Sequence, residues 1–326
     1  MNILVVGLGS MGKRRIRLLK KMYQQYHIYG VDLNAQRCAF VKKEYEMETF
    51  PTMEEAVSQR KFECAFVCTS PLTHAGIIKT CLENDMNVFT ELNLVSDGYV
   101  DNINLAKQKN KLLFLSSTMI YRDEMKYLRE QIDAKKCYSY TYHVGQYLPD
   151  WHPWENYKDF FVADKKTNAC REILAIELPW IVKTFGEIEH IKSVRTKATK
   201  LDIDYDDSYM ILLQHKSGTI GSLCVDVVSC EPIRSLKIVA ENLYLSWDGD
   251  EGSFFEKSGS KEELKKISLY DEIDHLEGYN KTIIENEYAN ELIQFFDELQ
   301  KKADSIYNFE DDLKTLSIID EVEKEC

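Results

Sequence analysis

Long apolar runs are what this chain most plainly lacks. No stretch is long enough to cross a bilayer, which excludes a helical membrane protein. Basic excess is missing too: 41 Lys and Arg stand against 54 Asp and Glu, a formal net charge of −13. Neither nucleic acid nor an anionic membrane surface is therefore expected as a main partner. The N-terminus carries no basic-then-apolar leader pattern and opens directly on a strand. Cysteine is present but without pattern. Nine of them, an odd number, are scattered at 38, 64, 68, 81, 137, 170, 224, 230 and 326, and Cys64 and Cys68 share one apolar strand with no second pair nearby. Buried thiols in a reducing cytoplasm explain them better than disulfides or zinc, so no metal is expected and the location is expected to be cytoplasmic. Internal repeats and low-complexity linkers are also absent. The 326 residues suffice for two domains with substantial cores.

What the chain does have is concentrated at its start. Asn2-Ile3-Leu4-Val5-Val6 reads as a buried strand, followed by Gly7-Leu8-Gly9-Ser10-Met11-Gly12 and a basic amphipathic helix through Leu18-Leu19. The glycines fall at G-x-G-x-x-G spacing. Gly7 permits the tight turn, Gly9 the approach of backbone to a pyrophosphate, and Gly12 the close packing of helix on strand. The N–H groups of the helix start, around Ser10 and Met11, then face phosphates with favourable dipole polarity. A second strand, Ile28-Tyr29-Gly30-Val31, ends in Asp32. A carboxylate there accepts a hydrogen bond from a ribose 2′-hydroxyl and repels a 2′-phosphate, so NAD is expected over NADP. Arg37 is placed to stack on the adenine or to soften that preference. A Gly-rich turn in an unrelated α/β protein would share the glycine spacing but not this context.

Strand and helix patterns then alternate. Helices are predicted near Ala35–Lys43, Met53–Gln59, Leu72–Glu83 and Asp101–Lys109, and strands near Met47–Phe50, Phe62–Cys68, Asn87–Thr90 and Leu112–Ser116. This is the signature of a parallel sheet with crossover helices. After Tyr121 the strands lengthen, as in Tyr138–Gln146, Ser208–His215 and Thr219–Val228, and Lys216-Ser217-Gly218 joins the last two as a hairpin loop with its glycine placed for φ > 0. Two helical patterns, Glu287–Lys301 and Asp311–Glu323, close the chain and are expected to pack back on one of the domains.

On these residues the chain resembles the Gfo/Idh/MocA oxidoreductase family across essentially its full length. The resemblance rests on Gly7-x-Gly9-x-x-Gly12 with Asp32, on Thr69-Ser70-Pro71-x-x-His74, and on Asn87-Val88-Phe89-Thr90-Glu91. Tyr121-Arg122, the hairpin at Gly218 and the helix over Glu291–Phe295 add to it. It implies an α/β fold: an N-terminal Rossmann domain with a doubly wound parallel sheet, residues 1–120, and a C-terminal α+β domain with an open, mostly antiparallel sheet, residues 121–326. It implies association of copies through that open sheet, as a homodimer or homotetramer. It also implies oxidation or reduction of a hydroxyl on a sugar, an inositol or a nucleotide-linked sugar with NAD(P). Carried over by resemblance, Thr69, Ser70, His74 and Glu91 line the nicotinamide and ribose side of the cofactor, with Asn93 beside them.

Two departures bear on the chemistry. The family usually reads Glu-Lys-Pro after the fifth strand, its lysine polarising the reacting hydroxyl, and here the segment is Glu91-Leu92-Asn93. Asn93 is left to orient a hydroxyl without ionising. The family's Asp and His, a helical turn apart before a glycine-terminated helix, are also missing; the segment offers Arg171, Glu172 and Glu177 instead. Glu177 sits among apolar residues before Pro179, where a carboxylate must be paired or titrate upward. Arg171 is a candidate clamp for a hydroxyl or anion, although a solvated helix-start pair accounts for Arg171 and Glu172 as well. A second concentration of chemistry is Trp151-His152-Pro153-Trp154, whose indole faces suit the C–H faces of a sugar and whose imidazole exchanges protons near neutral pH. An aromatic loop packed at an interface explains it as well. The candidate acid–base groups are therefore His152, Glu177 and Glu172, in that order, and Tyr121, Trp151, Trp154 and Arg171 are the candidate substrate contacts. The expected activity is NAD-dependent oxidation or reduction of a sugar hydroxyl. Redox-neutral sugar chemistry on the same scaffold and non-catalytic sugar binding are the alternatives.

Overall fold

The opening apolar run is β1 (Asn2–Val6), and the alternation continues through α1 (Ser10–Met22), β2 (His27–Val31), α2 (Ala35–Glu44), β3 (Thr49–Phe50) and α3 (Met53–Gln59). Next come β4 (Cys64–Val67), α4 (His74–Glu83), β5 (Asn87–Thr90), α5 (Tyr99–Lys109) and β6 (Leu113–Leu115). The computed structural model describes residues 1–152, 155–276 and 282–324. Among these, the six strands form one parallel sheet in the order β3-β2-β1-β4-β5-β6. Strand β4 is buried at every position, as expected of a strand covered on both faces. The order reverses between β1 and β4, and open α/β sheets take ligands outside the carboxyl ends of the strands at such a reversal.

The second unit contains α6 (Asp123–Gln131), β7 (Ser139–Gly145), α7 (Ala169–Phe185), β8 (Ile188–Thr196), β9 (Ser208–His215) and β10 (Ile220–Asp226). It continues with β11 (Ile233–Ala240), β12 (Leu243–Trp247), β13 (Phe255–Ser258) and β14 (Lys265–Lys266). Its eight described strands run β14-β13-β12-β11-β7-β10-β9-β8, antiparallel except for the β7–β10 pair. Burial alternates along β9, so one face is core and the other open. On the core face Tyr140 stacks on Phe185 of α7 at 4.5 Å, and Tyr142 meets Trp180 edge-on at 5.3 Å. The hairpin glycine has the expected positive φ, +88° at Gly218. No described helix is long and apolar enough to cross a membrane.

The two closing helices are α8 (Glu285–Leu299) and α9 (Phe309–Val322). The chain divides into one unit of Met1–Ser117 with Glu291–Leu313, and a second of Thr118–Asn290 with the segment from Lys314 onward. Each closing helix is thus shared between the units, whereas the sequence reading assigns everything after residue 120 to the second domain. The reason is aromatic. Phe295 of α8 stands edge-on to Phe66, Phe89 and Phe114 of the parallel sheet, at 5.3, 5.5 and 5.6 Å, and covers a face that would otherwise meet water.

Candidate functional site

Main-chain geometry builds the glycine turn of the first unit. Gly7 has φ of +92° and donates its N–H to the Val31 carbonyl at 2.8 Å. A Cβ on Gly12 would lie 1.9 Å from the Gly7 carbonyl oxygen, so α1 packs on the turn only through a glycine. Gly9 differs, because a Cβ there would meet nothing nearer than Arg37 Nη1 at 3.9 Å. The space over the start of α1 is open. Helix α2 is capped by the Asn34 side chain and α3 by that of Thr52, whereas α1, entered through Gly9-Ser10-Met11, has no side-chain cap and no acid in its first turn. Its leading N–H groups and its dipole are left for an anion. The residues present fit the pyrophosphate of a dinucleotide.

Asp32 stands at the end of β2 with its carboxylate fixed from two sides. Leu8 N–H donates to Oδ2 and Asn34 N–H to Oδ1, each at 2.8 Å. Both oxygens keep a lone pair for a further donor. Arg37 Nη1 lies 3.7 Å from Oδ2 with half of its side chain in solvent, a contact worth little by itself.

The edge after β4 and β5 is organised differently from the sequence expectation. Thr69 and Ser70 are half-buried at the strand exit. His74, at 2 % exposure, has both ring nitrogens engaged within the protein: Nε2 with the Thr69 carbonyl at 3.0 Å and Nδ1 with the Asn93 side chain at 2.5 Å. Burial pushes this imidazole below its ordinary pKa, so it is neutral at pH 7. Nδ1 faces the Asn93 Oδ1, with the Thr90 hydroxyl also 3.4 Å away. His74 and Asn93 tie the strand exit and the segment after β5 together. Glu91 is likewise committed. Arg15 of α1, fully buried, binds Glu91 Oε1 through Nε at 2.6 Å and Glu291 Oε2 through Nη2 at 2.6 Å. Ser117 N–H donates to the other Glu291 oxygen at 2.7 Å. Sequence reasoning missed Arg15 and Glu291. The signal was available, since each is a charge on the apolar stripe of its helix, Arg15 between Gly12 and Leu19 and Glu291 beside Leu292 and Phe295.

In the second unit, Glu177 of α7 is buried and paired. It accepts from the Tyr142 hydroxyl at 2.8 Å and the Trp180 indole at 2.7 Å, and pairs with Arg234 at 2.8 Å. That is an internal ion pair. Arg171 pairs with Asp320 of α9 at 2.7 Å and with Glu323 at 2.5 Å. Tyr121 is buried. Trp151 donates its indole N–H to the Gln146 carbonyl at 3.2 Å. His152 stacks on Phe160 at 4.6 Å and bonds Glu155 through Nδ1 at 2.6 Å, and Trp154 lies outside the described residues.

Glu172 is the exception on α7. Its Oε2 is out of solvent and has no hydrogen-bond partner among the described residues, and burial raises its pKa to about 8. A carboxyl that titrates near neutrality without a counter-ion is suited to proton exchange.

Residues 1–116 match the family model for the Gfo/Idh/MocA oxidoreductase family, NAD-binding Rossmann fold. That match spans the parallel-sheet domain and stops before the second sheet begins. Human biliverdin reductase A is 23 % identical over 338 aligned residues, spanning 99 % of this chain and 95 % of that protein. Among solved structures, UDP-N-acetylglucosamine 3-dehydrogenase GnnA from Acidithiobacillus ferrooxidans superposes with a TM-score of 0.78 at 15 % identity, covering 99 % of this chain and 96 % of its own. The WlbA dehydrogenase from Bordetella pertussis, crystallised with NADH and UDP-GlcNAcA, gives 0.74 at 12 % identity over 98 % and 94 %. At such identities these two are likenesses of fold. The glycine turn, the uncapped start of α1 and Asp32 all lie within the matched residues.

Proposed function

We propose that this protein is an NAD(H)-dependent dehydrogenase or reductase acting on a hydroxyl or keto group of a sugar or nucleotide sugar, with Glu172 exchanging the substrate proton. The observation that carries the reading is the Glu172 carboxyl, buried without a counter-ion in a chain whose first unit is an NAD-binding Rossmann fold. Gly7, Gly9, Ser10, Met11 and Gly12 would hold the pyrophosphate, Asp32 the adenosine ribose diol, and Thr69 and Ser70 the nicotinamide side. When bound, the dinucleotide supplies or accepts a hydride. Asp32, held by Leu8 and Asn34, has lone pairs for a hydroxyl and would repel a 2′-phosphate, which favours NAD over NADP. With leucine at 92, no ammonium stands in the usual family place, and proton exchange falls to Glu172. His152, hydrogen-bonded to Glu155, is the alternative donor. The open face of the second sheet exposes Val194, Met210, Leu212 and Ile220, and is proposed as the face through which copies associate.

A second reading is a biliverdin-type reductase. It is favoured by Leu92, which removes the group that would polarise a hydroxyl, together with the full-length likeness to biliverdin reductase A. The test is a panel of sugars, nucleotide sugars, inositols and biliverdin, following NADH absorbance and product separately. Net NADH change with a sugar-type substrate is expected. Turnover of biliverdin alone selects the second reading, and product without net NADH indicates redox-neutral chemistry. Sugar binding without any turnover would remove the enzyme assignment.

A further inference from the structure

On the open face of the second sheet, away from Glu172 and Glu177 on α7, three residues of different chemistry converge. Cys224 and Asp226 lie two apart on β10 and so share a face, and His143 stands in direct register with Cys224 on the parallel neighbour β7. Each offers one donor atom, a thiol sulfur, a carboxylate oxygen and an imidazole nitrogen, and these lie within 4.8 Å of one another. Among the described residues no other trio of His, Cys, Asp and Glu gathers its donors this closely. We propose that His143, Cys224 and Asp226 form a transition-metal site, for which Zn²⁺ is the best-matched ion.

The donor set argues for the ion. Mixed sulfur, nitrogen and carboxylate donors suit Zn²⁺ and disfavour Mg²⁺ or Ca²⁺, which take oxygen. Bonds of about 2.0–2.3 Å put the ligand atoms of a tetrahedral zinc roughly 3.3–3.8 Å apart. His143 Nε2 and Asp226 Oδ2 now share a hydrogen bond of 2.6 Å, so admitting the ion requires them to part by less than about 1 Å. Three protein ligands leave a fourth position for water, and the His143 side chain, 34 % exposed, provides the entry path.

The surroundings are built for this geometry. Asp226 Oδ1 accepts the N–H groups of Val228 at 3.0 Å and Ser229 at 2.9 Å, which turns Oδ2 toward His143, as a supporting shell does for a metal-binding carboxylate. Opposite Asp226 in the register stands Gly145, where a Cβ would come within 2.5 Å of Oδ2, so a glycine there makes room for the carboxylate. The ion would also bridge the parallel pair within an otherwise antiparallel sheet, and parallel pairing is the weaker kind per residue. Its role is to pin β7 to β10. No local pattern announces the trio, because His143 and Cys224-x-Asp226 meet only through strand register.

The test uses the full chain, freed of metal with a chelator and titrated with Co²⁺ as a spectroscopic stand-in for zinc. One Co²⁺ per chain is expected, with a sulfur-to-cobalt charge-transfer band in the near ultraviolet that Zn²⁺ abolishes on displacement. Cys224→Ser should remove the band, while Cys230→Ser, which alters an exposed thiol nearby in sequence, should keep it. His143→Ala should weaken Zn²⁺ binding by more than the ~10–100-fold that loss of an outer-shell partner costs. Circular dichroism and thermal unfolding in chelator establish that Cys224→Ser and His143→Ala are folded. No band at stoichiometric Co²⁺, or a band that survives Cys224→Ser, would overturn the site, as would unchanged Zn²⁺ affinity in His143→Ala.

Discussion

Glu172→Gln is expected to lower kcat by about a hundred- to ten-thousandfold while leaving NADH affinity unchanged, the range for loss of a general acid–base group. The pH profile separates this from a structural effect. Below about pH 8 the buried carboxyl is protonated, so reduction, which needs an acid, should run at its plateau there and decline above it. Oxidation, which needs the base, should rise through the same pH, and the glutamine variant should lose that limb in both directions. Stability moves the other way. The folded pKa is raised above the unfolded value of about 4.3, so the folded state holds a proton that the unfolded state has released. The contribution of Glu172 to stability is therefore complete below about pH 4.3 and is lost as pH climbs toward about 8. The glutamine variant lacks that loss and should melt no lower than the native protein at pH 8 and above. Lower activity with equal or greater stability is the pattern of a functional group kept at a structural cost. Native turnover in Glu172→Gln would move the role to His152.

The second large effect is predicted at Arg15. It binds both Glu91 and Glu291, and removing one partner of a buried pair costs about 3–5 kcal/mol because the other charge stays behind. Arg15→Leu should lose at least that amount in urea unfolding. Burial already raises the Glu291 pKa. Without the guanidinium Glu291 titrates higher still, so the variant's deficit should be largest at neutral pH and shrink as the pH falls through the ordinary carboxylate range. Adding Glu91→Gln and Glu291→Gln should recover much of the loss. A deficit under about 1 kcal/mol at pH 7 would mean that water or another group replaces Arg15.

How much of this was readable follows from how far apart the cooperating residues lie. The glycine turn with Asp32 beside it was legible because a single turn and the end of the next strand build it, without tertiary knowledge. The alternation of elements exposed the parallel sheet in the same way. Glu172 and Glu177 show the limit. Both are acids on one apolar helix, and only Arg234 on β11 and Tyr142 on β7 decide that Glu177 is paired while Glu172 is left alone. His74, Asn93 and Glu91 were legible as neighbours of the sheet edge, but their mutual bonds and the Arg15 pairing depend on side-chain packing that no local pattern encodes. The division of α8 depends likewise on Phe295 finding three aromatic rings of the parallel sheet.

The central claim is that this chain works with NAD(H) selected at Asp32. Calorimetric titration of the purified protein with NADH and, separately, NADPH tests it most directly. One NADH per chain, bound more tightly than NADPH, is predicted, with the gap narrowed in Asp32→Ala. No uptake of NADH, or tighter binding of NADPH by the unmodified protein, would contradict it.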